Sequence, residues 1–295
     1  MTNSSDLDLI KILRQETLAS LSKCKEALKE SDGDLDKARD FLKKSNAIIA
    51  DKKSSRQTDY GICAVEVNKD KAVLLNLCCE TSSSAQNFVL AELAADLAKE
   101  ILLFGNDKSN IENILTHNTS NGDTIEQKIK HTIGSIGENI TLNQVEIITA
   151  PNMSYYVHNK AKDSKAEIMN NVGAKISLVG FKTDNNQENL DTVGKDIAMH
   201  IAGIAHSPIF IRADEISNKD MEEYQKPILE QIMEQFKGKP QNIIDNILKG
   251  KLANLLSEKV LELQPFIKDD SHTVGSFAKQ HGINIELFRL FSAKR

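Results

Sequence analysis

The chain has no apolar run approaching the roughly 20 residues needed to span a bilayer. It also has no excess of basic charge, since 37 Lys and Arg stand against 42 Asp and Glu for a formal net charge of −5. The first absence argues against a membrane partner. The second, with a sequence pI near 5.9, argues against direct nucleic-acid binding, which draws on clustered cations. Cysteine is scarce: Cys24, Cys63, Cys78 and Cys79 form no C-x-x-C pair and no secreted framework, which fits buried thiols in a reducing compartment. Adjacent Cys78 and Cys79 read as strand residues facing opposite sides.

Motifs for chemistry are missing as well. No glycine-rich phosphate loop occurs, and Gly250-Lys251 lacks the earlier glycine such a loop needs. Seven histidines (His117, His131, His158, His200, His206, His272, His281) include no pair four apart around a glutamate, so zinc chemistry is unsupported. There is no serine nucleophile elbow. The expectation is a binding protein rather than an enzyme, with no cofactor and no metal. Met1 to Asp8 is polar and acidic, unlike a signal or transit peptide, so a cytoplasmic location is expected.

What is present is a chain of 295 residues, 40% hydrophobic and 27% charged, too long for one ordinary core. The stretch from Lys71 to Gly105 organises it. An apolar strand (Ala72, Val73, Leu74, Leu75, Leu77) stops at Cys78-Cys79-Glu80-Thr81, and Ser82-Ser83-Ser84 opens a long helix that Ser84 is expected to cap. Along that helix Ala85, Phe88, Leu90, Ala94, Leu97, Ile101 and Phe104 recur at helical spacing until Gly105 offers a left-handed stop. Function is expected at the turn, above all at Ser82 and Ser83.

The remaining pattern predicts an α+β fold in three parts. Residues 1–50 carry three short apolar stripes (Leu7, Ile10, Leu13; Leu21, Cys24, Leu28; Leu35, Ala38, Phe41, Leu42) and read as a three-helix docking module ending near Ser45. Asp51 to Asp59 is polar and reads as a linker. Residues 51–150 form one α+β subdomain, with a hairpin from Gly61 to Leu77, helices at Ile111–Leu115 and 124–133, and a strand from Asn139 to Thr149. Residues 151–295 form the other, with a second antiparallel sheet (Tyr155 to His158, Ala174 to Phe181) and a helix from Leu190 to Ile204 halted before Pro208. The recurrence of strand pair and helix points to an internal duplication. Into this part a helical hairpin at about 216–260 is inserted, its arms Met221–Phe236 and Ile243–Leu256 hinged at Lys237-Gly238-Lys239-Pro240, with Pro227 kinking or starting the first. A helix capped by Thr273 and ended by Gly282 leads to a last strand, Ile283–Phe291.

Several short stretches, in order and spacing, resemble one family: Leu13-Arg14 with Thr17, Cys24-Lys25-Glu26-Ala27-Leu28, Ile136-Gly137-Glu138-Asn139-Ile140, Tyr156 with His158, Asp196-Ile197-Ala198-Met199-His200, Gly250-Lys251-Leu252, Gln264-Pro265-Phe266 and Thr273-Val274-Gly275. The chain resembles bacterial elongation factor Ts, the guanine-nucleotide exchange factor of elongation factor Tu. That resemblance implies an N-terminal domain of ubiquitin-associated type. It also implies binding to elongation factor Tu in its GDP-bound and nucleotide-free forms, through Arg14, Thr17, Cys24, Glu80, Thr81, Ser82, Ser83, Ser84, Ile136, Gly137 and His158. Met199 and His200 read as packing residues. One departure stands out: where the family carries Asp-Phe after Cys-Glu-Thr, to wedge beside the partner's switch region and magnesium site, this chain has Ser82-Ser83. The alternative to an exchange factor is therefore a scaffold or chaperone-like subunit that holds elongation factor Tu with weakened exchange.

Overall fold

The computed structural model describes residues 4–17, 19–106, 110–183, 189–236 and 240–293. The three N-terminal stripes form helices α1 (Ser4–Thr17), α2 (Leu21–Glu30) and α3 (Leu35–Lys53). They close on a small core of Ile10, Leu13, Cys24, Ala27, Leu28, Ala38 and Leu42. Ser20 caps α2 by accepting from the Lys23 N–H, and Asp34 caps α3 by accepting from Asp36 and Lys37, each supplying a partner to an otherwise orphan donor.

Helix α3 does not stop near Ser45, and the first three residues of the expected linker, Asp51 to Lys53, are its last turn. Its buried face runs on through Asn46 and Ala50, and Ala50 and Ile49 pack with the central core. Lys52 and Lys53 are polar because they face water at a helix C-terminus, where positive charge is favoured.

Strands β1 (Tyr60–Asn68) and β2 (Lys71–Cys79) pair antiparallel from Tyr60 opposite Cys79 to Asn68 opposite Lys71. All of β2 from Ala72 to Cys79 is buried. The serines after it form only a short helix, α4 (Ser82–Ala85), capped by Thr81 rather than by Ser84. The long helix α5 (Phe88–Phe104) begins again under its own cap, Asn87, and its C-cap Gly105 is extended at φ −66° rather than left-handed. Two strong caps in succession explain the break, since each ends one run of backbone hydrogen bonds and starts the next. Leu90, Ala94, Leu97 and Ile101 of α5 meet Val73, Leu75, Leu77 and Cys79 of β2 in one core. Cys78 lies outside that cluster, as strand alternation requires.

Helices α6 (Ile111–Leu115) and α7 (Ile125–Ile136) follow, and α7 opens on a capping box of Thr124 and Gln127. Helix α3 crosses α7 at Gly134, where any Cβ would stand 2.0 Å from Asn46 Oδ1. From α2, Lys23 Nζ donates to the carbonyl of the same Gly134 at 2.8 Å. The N-terminal helices are thus joined to α7 by packing and hydrogen bonds.

Strand β3 (Ile140–Thr149) pairs with β2. Next come β4 (Asn152–Lys162) and β5 (Ile168–Thr183), expected as a separate sheet. They instead extend the first one into six strands in the order β3-β2-β1-β5-β4, with β8 (Ile283–Ser292) also on β5. The reason is the length of β5: its 16 residues reach back to β1, pairing antiparallel at Cys63 with Gly173 and Ala64 with Val172. The α+β class and antiparallel pairing hold, in one main sheet rather than two.

By internal contacts the chain divides into two units, Met1–Thr149 with Val157–Ile176 and Phe291–Arg295, and Ala150–Tyr156 with Ser177–Leu290. In the second, α8 (Leu190–Gly203), α9 (Asn218–Gln235), α10 (Gln241–Lys259), the small pair β6 (Pro265–Phe266) and β7 (Asp269–Thr273), and α11 (Val274–Gln280) precede β8. Pro227 lies inside α9, and Pro240 is the N-cap of α10. The expected hinge at Lys237-Gly238-Lys239 lies outside the described residues. The arms touch where Lys251 Nζ donates to Gln231 Oε1 at 2.9 Å.

His200 is a core residue, as expected. Its Nδ1 accepts the Ile267 N–H at 3.2 Å, which makes Nε2 the donor to Gln264 Oε1 at 2.9 Å. The Gln264 amide donates onward to the carbonyls of His206 and Glu258. Burial lowers the His200 pKa from its ordinary value, the Gln264 hydrogen bond opposing it. A depressed histidine pKa means that the unfolded chain takes up the proton first, so stability is lost as pH falls from about 6.5 through the folded-state value. We expect the wild-type urea midpoint to fall between pH 7.5 and 5.5, before most carboxylates titrate, and His200→Gln to flatten that slope. Equal slopes in the two proteins would remove His200 as a source of acid sensitivity.

Candidate functional site

Two turns of the first unit meet at the end of β2. One is Glu80-Thr81, which follows β2, together with Ser82-Ser83-Ser84 in the first turn of α4. The other is Ile136-Gly137-Glu138-Asn139, between α7 and β3. Each is set by local chemistry: the Thr81 hydroxyl accepts from the Ser84 N–H at 3.2 Å, and Gly137 ends α7 in the left-handed region at φ 84°, its N–H bonded to the Ile133 carbonyl.

The two turns exchange carboxylates. Glu138 accepts twice from Thr81, from its N–H at 3.0 Å and its hydroxyl at 2.7 Å. Glu80 accepts from the Asn139 N–H at 2.6 Å. Asn139, itself buried, donates its side-chain amide to the Arg56 carbonyl at 2.8 Å and the Ser54 carbonyl at 3.4 Å. The segment that follows α3 is therefore tied into the same knot. Burial works against ionisation of Glu80, but the Asn139 N–H and the Arg56 guanidinium outweigh it and hold the carboxyl below its ordinary value. Arg56 lies 3.3 Å from Glu80 with its own side chain half exposed, so most of the fixing comes from the backbone donor, surface ion pairs being worth about 0–1 kcal/mol.

The remaining expected contacts sort by exposure. Ser82 and Ser83 are exposed, whereas Ser84 is buried. Gly137 is exposed and Ile136 half-buried against the central core. Arg14 is exposed on α1, and the Thr17 hydroxyl turns back to the Leu13 carbonyl at 2.6 Å. Thr17 also borders a cavity of about 460 Å³ lined by Arg39, Leu42, Leu93, Lys128 and His131. Cys24 corrects an expectation: its side chain is 0% exposed within the N-terminal core, with Sγ toward the Ala19 carbonyl, so it supports the module's packing rather than a surface contact. His158 is exposed on β4.

The structure thus gathers Glu80, Thr81, Ser82 and Ser83 with Ile136 and Gly137, and leaves Arg14 on a different element. Glu138, Asn139 and Arg56 were missed as participants. The signal for the first two was their place in the stretch Ile136 to Ile140, while Arg56 falls in the stretch that reads as a linker. All four cysteines are buried and unbridged, and burial pushes the thiols of Cys63 and Cys79 up to about 12, so they are poor nucleophiles. Among the described residues no group of three His, Cys, Asp or Glu could hold a metal ion, and no helix is long and apolar enough to cross a membrane. The arrangement fixes two turns against each other through two carboxylates and two backbone N–H donors.

Residues 80–294 match the family model described as Elongation factor TS. The chain is 34% identical over 286 residues to elongation factor Ts of Hydrogenobaculum sp. (strain Y04AAS1), covering 96% of each protein. It is 32% identical over 298 residues to elongation factor Ts of Aquifex aeolicus (strain VF5), covering 98% of this chain and 97% of that one. These matches define a translation elongation factor. The chain belongs to the elongation factor Ts family.

A Cβ on Gly137 would meet nothing within 4 Å, so the cost of a side chain there is conformational and not overpacking. Left-handed backbone costs an L-residue about 1–2 kcal/mol, with Asn the best tolerated after Gly. Gly137→Val should therefore lower stability by about that amount or more in chemical denaturation, and Gly137→Asn by clearly less. Equal losses would show that something other than backbone conformation governs the position.

Proposed function

We propose that the protein binds elongation factor Tu in its GDP-bound and nucleotide-free forms and promotes GDP release so that GTP can enter. The observation that carries the reading is the knot of turns: inside a chain related to elongation factor Ts over nearly its full length, the stretches Glu80–Ser83 and Ile136–Gly137 lie together on one unit with Ser82, Ser83 and Gly137 exposed. No bond is made or broken. An exchange factor binds the empty G protein more tightly than the loaded one, and linkage weakens nucleotide by the same free energy. Working in the cytoplasm, it needs only partner surface: the three-helix module, the turns and the helical hairpin would together bury well over roughly 1,000 Å², as tight complexes do.

One observation favours the second reading, a scaffold with slow exchange: Ser82 and Ser83 offer neither the carboxylate nor the ring that the family places there. Phe88 bears on this. It opens α5 just beyond the turn and is 40% exposed, so its ring is available for the apolar contact that the serines cannot make.

Release of a fluorescent GDP from the cognate elongation factor Tu decides between the readings. Catalysed release supports exchange; tight binding without acceleration supports the scaffold. Restoring the family pattern with Ser82→Asp and Ser83→Phe should speed release, by up to on the order of 30-fold if the ring is worth the roughly 2 kcal/mol of a hot spot. Phe88→Ala should slow it. A double variant no faster than wild type, together with an unaltered Phe88→Ala, would defeat the idea that an apolar wedge at this turn limits the rate.

Docking by the N-terminal helices has its own test. Removing residues 1–50 would also strip Asn46, Ile49 and Ala50 from the core they pack on, so a surface change is cleaner. Arg14→Glu should slow association with elongation factor Tu, with a smaller salt dependence and an unchanged melting temperature, as rim charges act mainly on the on-rate. An on-rate equal to wild type at low salt would take this face of α1 out of the interface.

A further inference from the structure

Glu138 and Glu80 sit on opposite turns, and each accepts the backbone N–H of the other's neighbour: Thr81 N–H goes to Glu138, Asn139 N–H to Glu80. Such a reciprocal pair differs from one hydrogen bond between two loops. A single bond leaves a hinge, whereas two crossed bonds, with the Thr81 hydroxyl as a third at 2.7 Å, fix separation and rotation together. Bonds in which the acceptor is ionised are also about twice as strong as neutral ones. Asn139 extends the brace to the carbonyls of Ser54 and Arg56. The exposed serines follow directly, because the Thr81 oxygen that Glu138 holds is the one that caps α4.

We propose that Glu138 is a positioning residue: by bracing Thr81 it holds the Ser82–Ser83 turn and the Ile136–Gly137 turn as one rigid body, and nucleotide release depends on that rigidity. The inference rests on the exchange reading above. A turn free to move can follow the partner's surface and still bind, but it relaxes away from the strained contact instead of transmitting it. Differential affinity for the two partner states, which is the whole of the coupling, falls as the turn softens. Glu138 thus acts through Thr81 and needs no contact with elongation factor Tu.

The test compares wild type, Glu138→Ala and Glu138→Gln at saturating concentration with the cognate elongation factor Tu loaded with fluorescent GDP, alongside calorimetric affinity for the same GDP-bound partner. Glu138→Ala should lower the maximal release rate roughly ten-fold or more, the scale of losing a charged acceptor, with affinity within about two-fold of wild type. Glu138→Gln keeps one carbonyl acceptor and should recover part of the rate. An unchanged maximal rate, or rate and affinity falling together with no recovery in Gln, overturns the proposal.

A second readout needs no partner. Because the native cysteines are buried, Ser83→Cys can carry a single fluorophore, whose anisotropy should drop when Glu138→Ala is added, measured at a temperature where both proteins are folded. Unaltered anisotropy also overturns the brace. If wild type itself fails to accelerate release, the exchange reading falls; the anisotropy then decides separately whether the brace exists.

Discussion

Position in the first unit is governed by β2, which has no face toward solvent. Its eight residues from Ala72 to Cys79 are all buried, and it is hydrogen-bonded on both edges, to β1 and to β3. Burying one large apolar side chain is worth roughly 1.5–3 kcal/mol, so Val73, Leu74, Leu75 and Leu77 together far outweigh any turn contact. A slip of one residue would carry Leu75 and Leu77 to the wrong face and bring Asn76 into the α5 core. The register of β2 is therefore fixed before its end is reached. The turn that follows inherits its place: Glu80 and Thr81 emerge beside the start of β3 because Cys79 is held opposite Ile140. The hydrogen bonds between the turns refine a position that packing has already chosen.

That ordering of energies also explains what could be read from the residues alone. The strand was legible because it is buried on both faces and so reads as an unbroken apolar run. The long helix was legible from its period of 3.6. Its start was misplaced because Thr81, Ser82, Ser83, Ser84 and Asn87 are all competent caps, and composition cannot rank them when two are used. The end of α3 was missed for the opposite reason. Asp51-Lys52-Lys53 looks like linker, yet it is the solvated last turn of a helix whose buried face is carried by Asn46 and Ala50, and a polar asparagine at 2% exposure is a poor marker of a buried stripe. Nor could pattern foresee that β5 would join β1, since a strand of 16 residues interrupted by Gly173 reads as a shorter one.

The site was legible in its parts and not in its assembly. Residue types pointed to Glu80 through Ser84, and the resemblance pointed to Ile136 and Gly137, more than 50 positions along the chain. What joins them is a pair of carboxylates accepting backbone N–H groups. A backbone donor leaves no trace in side-chain identity, so Glu138 and Asn139 carried no signal beyond their neighbours. Cys24 shows the converse: its apolar stripe correctly marks it as core, whereas the resemblance alone made it a partner contact that a buried thiol does not support.

On the exchange reading, the absence of catalytic chemistry places a mechanical demand on the fold. Free energy reaches the partner's nucleotide only as a difference between the contacts made with the loaded and the empty states, and that difference survives only if the contacting surface yields less than the partner does. Loops are ordinarily the softest parts of a domain. Here the loop is continuous with a strand that cannot slip, is capped at once into a helix, and is braced by a second turn that accepts through Glu138 and donates through the Asn139 N–H, and that is itself the end of the helix packed on α3. Stiffness of this kind is independent of which side chains are presented at the tip. On that same reading, the part that would transmit force is built from Glu80, Thr81, Glu138 and Asn139, whose hydrogen bonds the structure shows, and the exposed Ser82 and Ser83 would set how strongly it presses.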